Sequence, residues 1–470
     1  MMKRSMIALL LVFALCMGLF SGCGKKEGDE SSSTDEMARR EIVELTMYIP
    51  GTASEDRQAQ DAVEKCKQQI LTQVEHFMYD MAREDINEVD VRIQVEQKLY
   101  PAGSPENEQV KRDILTGQGP DLYYFWGGLA SPFQYESGLA DLAPFFEESS
   151  RVKTEDLCSE VFEAGKINGV LKTAICSYAV PILNTSEETL ALNGLEGLSS
   201  IEYGTLNSIL DTPQIKERGS LFTVMESENG GFLNIDAMPY NLLDLLFVNQ
   251  CVESFFDYNT GSVSFSDKFA SIYQDYRDFA SREDVRMTPE KKQEFLQEYD
   301  PEKNAMAEGD LLFQLQSNMS AWADDGVTPK GVVLRMPGEQ GNFALPVDMV
   351  SISSMISREK QQRAFQFIES LLSPNHSGAY TGYSMFFQTA NGAREKRMQN
   401  LQETFEQEGQ KPENLWWGWY YDQAENISSC NIFDEYYYTQ VFQPIMEDEG
   451  KPLEQRVREL ENRTNLYLKE

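Results

Sequence analysis

Downstream of residue 41, two kinds of hydrophobic pattern alternate along the chain. Residues 42–49 form an apolar, β-branched run that predicts a strand, and residues 59–81 carry apolar side chains at spacings of three and four, which predicts a long helix. Residues 89–95 alternate apolar and polar positions and predict a second strand, which is followed by a predicted helix at 106–116 and a buried strand at 122–126. This order of elements predicts an α/β unit with a largely parallel sheet.

The pattern beyond residue 146 is less regular. It predicts turns at 229–231 and 257–261, a helix at 269–279, a strand at 331–336, an amphipathic helix at 361–372, and a last helix that carries Leu453, Val457 and Leu460. No internal repeat of about 20 to 50 residues is visible in the sequence. At about 150 residues per domain, the 470 residues suffice for two large lobes or three smaller domains.

The first 22 residues have the pattern of a bacterial secretion signal. A short basic region precedes the apolar run 6–20, which is too short to span a bilayer comfortably. The segment 19–24 resembles a lipoprotein cleavage box, so we expect residues 1–22 to be removed and Cys23 to carry lipid at the mature N-terminus. Residues 23–40 are then a polar, flexible tether. The alternative is an ordinary signal peptide in which Cys23 is incidental.

The charge balance narrows the classes of partner. The sequence has 41 Lys and Arg against 76 Asp and Glu, a net charge of −35, so nucleic acid is not an expected partner. Two histidines, His76 and His376, are too few to favour a His-ligated metal centre or a His-based catalytic triad. We therefore expect neither a metal site nor a cofactor.

Five cysteines follow the signal and its cysteine, and they are widely spaced along the chain: Cys66, Cys158, Cys176, Cys251 and Cys430. Buried free thiols are the favoured interpretation, and one disulfide stays open. The sequence contains no nucleophile elbow, HExxH motif, phosphate-binding loop or EF-hand spacing, so we predict no catalytic residues and no enzyme. A glycosidase pair of carboxylates stays open, because a sequence does not show how far apart two carboxylates lie.

The loops after the first three predicted strands are candidate ligand-binding segments. In a parallel α/β sheet, ligands bind beyond the carboxyl ends of the strands. Thr52 and Ser54 follow the first strand, and Trp126 and Gly127 lie at the end of the third. An indole stacks on the C–H face of a sugar while polar groups bond its hydroxyls, so Trp126 is the first candidate. The alternative is that Trp126 belongs to the core.

Short stretches along nearly the whole chain occur in a recognisable order: 115–126, 137–144, 165–169, 257–263, 307–322, 364–371 and 460–470. With these stretches and the lipoprotein signal, the chain resembles the extracellular solute-binding proteins of ABC importers, family 1, a carbohydrate-type group that includes maltose-binding protein. The chain departs from that family at 172–175, where a Tyr-x-x-Pro-like stretch is usual.

The resemblance implies a type II periplasmic-binding-protein-like fold, in which crossing strands join two α/β lobes and a ligand cleft lies between them. One lobe would comprise residues 41–145 plus 345–395, and the other residues 146–344 plus 396–470. The protein would be a monomer, lipid-anchored to the outer face of the bacterial cell membrane. It would capture a small-molecule ligand, expected to be an oligosaccharide, and deliver it to the permease subunits of an ABC transporter.

The same resemblance adds aromatic candidates from the second lobe. Trp322 corresponds to a ligand-stacking aromatic of the family, with Asp324 and Asp325 beside it. The aromatic run 416–421 and the group 436–438 contribute the remaining candidates, Trp416, Trp417, Trp419 and Tyr436. Packing against the second lobe is the alternative for the tryptophans. Two alternative functions stay open at this point, a ligand-sensing lipoprotein for a sensor kinase and a secreted carbohydrate-active enzyme.

Overall fold

The structure is a computed structural model, and it describes residues 41–52, 57–83, 89–101, 104–127, 130–218, 221–223, 242–257, 260–265, 267–282, 285, 311–316, 329–335, 341–373, 387–407 and 417–469. The predicted signal, the lipidation site Cys23 and the predicted turn at 229–231 lie outside the described residues.

The strands have these bounds: β1 Glu41–Pro50, β2 Val89–Leu99, β3 Leu122–Trp126, β4 Lys166–Ile167, β5 Val170–Leu171, β6 Ala174–Ile175, β7 Ser177–Ala179, β8 Ile182–Ser186, β9 Ser200–Glu202, β10 Leu221–Thr223, β11 Phe256–Asp257, β12 Ser262–Val263, β13 Leu311–Gln316, β14 Pro329–Arg335, β15 Asn342–Pro346, β16 Asp348–Ile352, β17 Phe387–Gln388 and β18 Ile427–Cys430.

The α-helices have these bounds: α1 Arg57–Arg83, α2 Pro105–Leu115, α3 Ala143–Glu148, α4 Ser159–Glu163, α5 Glu187–Leu192, α6 Leu206–Leu210, α7 Pro213–Arg218, α8 Leu242–Leu246, α9 Asp267–Ala280, α10 Arg358–Leu372, α11 Asn391–Gln407, α12 Trp417–Glu425, α13 Glu435–Tyr437, α14 Gln443–Met446 and α15 Leu453–Tyr467. Short 3₁₀ helices lie at Pro132–Gly138, Thr154–Asp156, Tyr203–Thr205 and Glu253–Phe255, and π-helical turns lie at Phe247–Val252 and Tyr438–Phe442.

The first sheet has the strand order β2-β1-β3-β16-β6. Strands β1 and β3 pair in parallel, as the predicted order of elements requires. Strand β16 runs antiparallel to both β3 and β6, so the sheet is mixed rather than largely parallel. The sequence pattern misses this feature because β16 enters the sheet from a segment more than two hundred residues beyond β3.

The core of the first sheet explains why its elements form where they do. All five residues of β3 are buried, and the apolar face of α1 packs into the same hydrophobic cluster. Phe77 of α1 meets Phe367 of α10 edge to face, with ring centroids 5.4 Å apart. Helix α2 begins after Ser104, whose hydroxyl accepts the Asn107 N–H at 3.1 Å, and Pro105 is its first residue.

The second sheet has the order β10-β13-β8-β14-β9. Strand β8 is central and runs antiparallel to β13 and β14, whereas β9 pairs with β14 and β10 with β13 in parallel. The predicted strand at 331–336 corresponds to β14, and the predicted helices at 269–279, 361–372 and the chain end correspond to α9, α10 and α15. The predicted turn at 257–261 is flanked by the antiparallel pair β11 and β12.

A third sheet of order β17-β7-β15-β18 connects these two. A single residue, Cys176, separates β6 of the first sheet from β7, and a single residue, Val347, separates β15 from β16. The Cys176 N–H donates to the Asp348 carbonyl at 2.7 Å, and the Val347 N–H donates to the Ser177 carbonyl at 2.9 Å. We call residues 174–179 and 342–352 the crossing. These are the crossing strands that the resemblance implies, and the predicted lobe boundaries stay a prediction.

Candidate functional site

The carboxyl ends of β1, β2 and β3 meet at one edge of the first sheet. The Gly51 N–H donates to the Leu99 carbonyl at 2.9 Å, and a Cβ atom placed on Gly51 would lie 3.0 Å from the Tyr100 ring. Only glycine therefore lets the loop after β1 lie this close to the aromatic ring after β2. The Gly127 N–H donates to the Val347 carbonyl at 2.8 Å, so the end of β3 is fixed to the crossing.

The predicted site residues of this edge differ in exposure. Thr52 is half-buried, and Gly127 is buried. Trp126 is only 7% exposed and pairs with Asp348 in the β3–β16 ladder, so most of its surface packs in the core. Ser54 lies outside the described residues. The structure thus brings Thr52, Trp126 and Gly127 to one edge, and their ligand contacts stay a prediction.

A buried polar network lies directly behind this edge. The Asp348 carboxyl group is 2.6 Å from the Tyr124 hydroxyl and accepts a hydrogen bond from the Ser177 hydroxyl at 2.5 Å. The Ser177 oxygen also accepts the Asp348 backbone N–H at 3.3 Å. The Tyr124 hydroxyl lies a further 2.9 Å from Oε1 of Gln73 on α1. The network therefore joins α1, β3 and both strands of the crossing.

Burial dominates the electrostatics of this network. It raises the pKa of the Asp348 carboxyl group, because desolvation penalises the charged form more than the hydrogen bonds from Ser177 and Tyr124 favour it. Burial also raises the pKa of the Cys66 and Cys176 thiols well above the usual range. These thiols are therefore inert, since the thiolate is the reactive form of cysteine.

Trp419 is the one tryptophan of the aromatic run whose side chain lies within the described part of the chain. It is half-buried on α12, and its ring lies against Gly331 of β14, where an added Cβ atom would be 2.1 Å from ring atom Cζ3. One part of the indole therefore packs on the second sheet, as the packing alternative supposes. Trp416 and the side chain of Trp417 lie outside the described residues.

Tyr436 is the most exposed of the described candidates, at 41%. Its ring stacks on Tyr467 of α15, with centroids 6.2 Å apart and an interplanar angle of 21°. The Tyr467 hydroxyl donates to the buried carboxyl group of Asp434, which also accepts the Tyr437 N–H at 3.1 Å and so caps α13. Burial raises the pKa of Asp434, and these hydrogen bonds oppose the shift. The Tyr436 ring is thus accessible, and it stacks on a Tyr467 side chain that a hydrogen bond to Asp434 holds in place.

Trp322, Asp324 and Asp325 lie outside the described residues. The preceding strand, β13, ends at Gln316, which pairs with Ile182 at the start of β8. Ile182 follows the crossing by only a few residues, so β13 ends at the side of the second sheet that faces the crossing. Ligand binding by these three residues stays a prediction.

Sequence reasoning missed the Asp348 network. Its signal was present, because Asp348 is the one charged residue in the largely apolar run 343–352. A buried carboxylate in such a run needs partners, and the partners here are Tyr124 and Ser177, which are distant in sequence. Only the tertiary structure could identify them.

Three further findings concern the cysteines, metal ligation and the helices of the described residues. All five cysteines that follow the tether are free thiols; four are buried, as the favoured interpretation supposed, and Cys158 is half-buried. Within the described part of the chain, no group of three His, Cys, Asp or Glu side chains is arranged to hold a metal ion. Nor does any helix within those residues have the length and apolar character needed to cross a bilayer.

Comparison with known proteins gives matches among solved structures. No protein-family model matches the chain, and no curated protein matches it. A family 1 extracellular solute-binding protein from Alicyclobacillus acidocaldarius is similar at 14% identity, with 92% of this chain and 99% of that chain covered and a TM-score of 0.52. The sugar-binding protein MalE from Xanthomonas citri is similar at 12% identity, with 91% and 97% covered and a TM-score of 0.57.

A third similar structure is a de novo designed cysteine esterase, ECH19, at 16% identity, with 92% of this chain and 98% of that chain covered and a TM-score of 0.56. At these identities the likeness establishes the fold. The resemblance seen in the sequence and the predicted fold class are confirmed at that level: the chain has the two-lobe α/β fold of MalE-like, family 1 extracellular solute-binding proteins.

Proposed function

We propose that this protein is an extracellular solute-binding protein that captures an oligosaccharide between two lobes and delivers it to an ABC transporter permease. The observation that carries the proposal is the fold, because the likeness extends over almost the full length of two solute-binding proteins, one of them sugar-binding by name. The aromatic and polar candidates at the edge of the first sheet supply the chemistry that a sugar needs, namely apolar faces and hydrogen-bonding groups.

Binding would act through the crossing. A ligand that contacts both lobes favours the closed arrangement, because only that arrangement makes both sets of contacts. Gly127 supports this coupling, since its N–H bonds to Val347 within the crossing. Movement at the crossing would therefore move the end of β3, where Trp126 lies. The permease would recognise the closed, loaded form.

We further propose that Cys23 carries a lipid anchor and that the protein is held at the outer face of the bacterial cell membrane as a monomer. The support is the sequence of the first 40 residues, in which a signal, a cleavage box and a polar tether follow one another. Labelling of cells with a fatty-acid analogue tests this. The full-length chain should be labelled, and a Cys23→Ala variant should stay unlabelled; equal labelling of both would refute the anchor.

The binding function is tested with the soluble chain that begins at residue 24 and a panel of defined sugars, including maltotriose, mannotriose and oligogalacturonides. A true ligand at about 100 times its Kd should stabilise the folded state by about 2.7 kcal/mol and raise the melting temperature. Intrinsic tryptophan fluorescence should change at the same concentrations. Unchanged fluorescence and an unchanged melting temperature with every sugar would count against an oligosaccharide receptor.

A variant at the predicted edge separates specific binding from general stabilisation. Thr52→Ala removes a half-buried hydroxyl group at the carboxyl edge of β1, and we expect it to weaken the best sugar severalfold. Thr154→Ala is the matched control, because Thr154 is exposed and belongs to a short 3₁₀ helix rather than to a loop that follows a strand of the first sheet. Equal affinities for the two variants would remove Thr52 from the site. Release of new reducing ends from any sugar would instead support a carbohydrate-active enzyme.

A further inference from the structure

The crossing contains one buried carboxyl group, that of Asp348, which is 6% exposed. Its oxygen atoms are fully used within the protein: Oδ1 faces the Tyr124 hydroxyl, and Oδ2 accepts the Ser177 hydroxyl. Tyr124 is on β3 of the first sheet, Ser177 is on the first strand of the crossing, and Asp348 itself is on the second. Three elements that meet at the crossing are therefore held by one side chain.

A count of hydrogens shows what this network needs. The Tyr124 hydroxyl lies 2.6 Å from Asp348 Oδ1 and 2.9 Å from Gln73 Oε1, yet a hydroxyl has one hydrogen to donate. With an ionised Asp348, and with the Gln73 amide oxygen facing Tyr124 as it does in the structure, both neighbours of the hydroxyl are acceptors and one contact lacks a hydrogen. With a proton on Oδ1, the chain Asp348 to Tyr124 to Gln73 is complete, and Ser177 still donates to Oδ2.

Within the described part of the chain, the groups around Asp348 are hydroxyls and thiols, none of them cationic. The groups that face it are the Tyr124 hydroxyl from β3, the Ser177 hydroxyl from β7, the Cys176 thiol from the crossing and the Cys66 thiol from α1. Among the described residues, no lysine, arginine or histidine contributes to its electrostatics. A buried carboxylate without a cationic partner is costly, and the neutral acid avoids that cost.

We propose that Asp348 carries a proton in the folded protein at neutral pH, and that this proton locks the crossing and thereby sets how readily the two lobes open. The neutral acid ties α1 and β3 to both crossing strands by a complete hydrogen-bond chain. Loss of the proton breaks one link and draws water toward a charge inside the crossing, which favours open arrangements. The lobe motion rests on the proposed function, whereas the protonation does not.

The sign of the pH effect follows from the raised pKa of a carboxyl group. The folded state binds the proton more tightly than the unfolded chain, so this stabilisation is fully present below the unfolded pKa and is lost as the pH rises through the folded pKa. Each unit by which the folded pKa exceeds the unfolded value changes the unfolding equilibrium about tenfold.

The protonation is tested by infrared difference spectroscopy of the ligand-free protein at about pH 7. Wild type minus Asp348→Asn should show the carbonyl band of a carboxylic acid, which a carboxylate lacks. Asparagine imitates the neutral acid, since its amide donates toward Tyr124 and accepts from Ser177, so the variant should fold. A difference spectrum with carboxylate bands alone would overturn the proposal.

The lock is tested by small-angle X-ray scattering of the ligand-free protein from about pH 5 to about pH 9. The radius of gyration of the wild type should increase with pH, whereas that of Asp348→Asn should stay constant. Asp434→Asn is the matched control, because Asp434 is also a buried aspartate with a raised pKa but is outside the crossing; it should behave as wild type. An Asp348→Asn protein that opens with pH as wild type does would refute the lock, whatever ligand the protein binds.

Discussion

The central strands of the two large sheets are equally buried but chemically different. Strand β3 of the first sheet reads Leu-Tyr-Tyr-Phe-Trp, and strand β8 of the second reads Ile-Leu-Asn-Thr-Ser, with every residue of both strands buried. In β3 the Phe125 ring stacks on Tyr135 at 5.9 Å and lies parallel to Tyr123 at 6.2 Å. In β8 the polar half of the strand leads into α5, where the Ser186 hydroxyl accepts the Thr189 N–H at 3.0 Å.

This difference between β3 and β8 indicates which interactions stabilise each sheet. The first sheet depends on aromatic burial in its central strand and takes its buried polar group from the neighbouring strand, as Asp348. The second sheet places polar residues in the central strand itself, where burial carries a desolvation cost that hydrogen bonds such as that between Ser186 and Thr189 offset. Truncation of an apolar ring should therefore harm the first sheet more than truncation of a polar side chain harms the second.

The largest expected effect tests that contrast directly. Phe125→Ala should lower the free energy of unfolding by about 3–5 kcal/mol, since it removes a fully buried ring and leaves a cavity. Asn184→Ala in β8 should cost about 1–3 kcal/mol, the range for changes at a buried polar group, because it removes a smaller side chain that is 3% exposed. Urea unfolding followed by circular dichroism measures both. An Asn184→Ala cost equal to or above that of Phe125→Ala would break the comparison.

An intermediate effect sharpens the account of the second sheet. Gly331→Ala should cost about 1–3 kcal/mol, because the new methyl group would lie 2.1 Å from the Trp419 ring and force one of them to move. The same change in a Trp419→Leu background should cost much less, since the rigid ring is gone. A double-mutant cycle by thermal unfolding measures the difference. Equal costs in both backgrounds would show that Trp419 does not constrain Gly331.

The smallest effects concern one ion pair beside each sheet. Lys360 Nζ lies 3.1 Å from the Asp121 carboxylate, which is 9% exposed and also accepts the Thr46 N–H at 2.8 Å. Lys330 in the second sheet lies 4.0 Å from the exposed Glu187. Lys360→Ala should cost about 1 kcal/mol and Lys330→Ala less than about 0.5 kcal/mol. Added salt should reduce the difference between these two costs only slightly if the burial of Asp121 protects its pair with Lys360 from screening.

Local elements were predictable from the sequence, whereas their partners were not. The spacing of apolar residues in α1 and the alternation in β2 have a physical cause within a few turns or residues, so both elements form where predicted. The mixed first sheet depends on β16, which is separated from β3 in the sequence by all the strands of the second sheet. Nothing near β3 in the sequence records that pairing.

The candidate site shows the same division. The convergence of Gly51, Tyr100 and Gly127 followed from the rule that loops after parallel strands share an edge. The burial of Trp126 did not follow, because a tryptophan at a strand end suits a ligand face and a core equally well. Asp348 was visible as a lone acid in an apolar run, but its role depends on Tyr124 and Ser177.

By itself, the sequence determined the classes of element, their order, the likeness to solute-binding proteins and the expectation of an exported, anchored chain. These conclusions rest on local periodicity, composition and short motifs, whose physical causes act between residues near in the chain. Tertiary structure alone decided the strand pairing, the depth of Trp126, the contact of Trp419 with Gly331 and the network around Asp348. Those outcomes depend on which distant segments exclude water from one another, and a linear pattern does not contain that information.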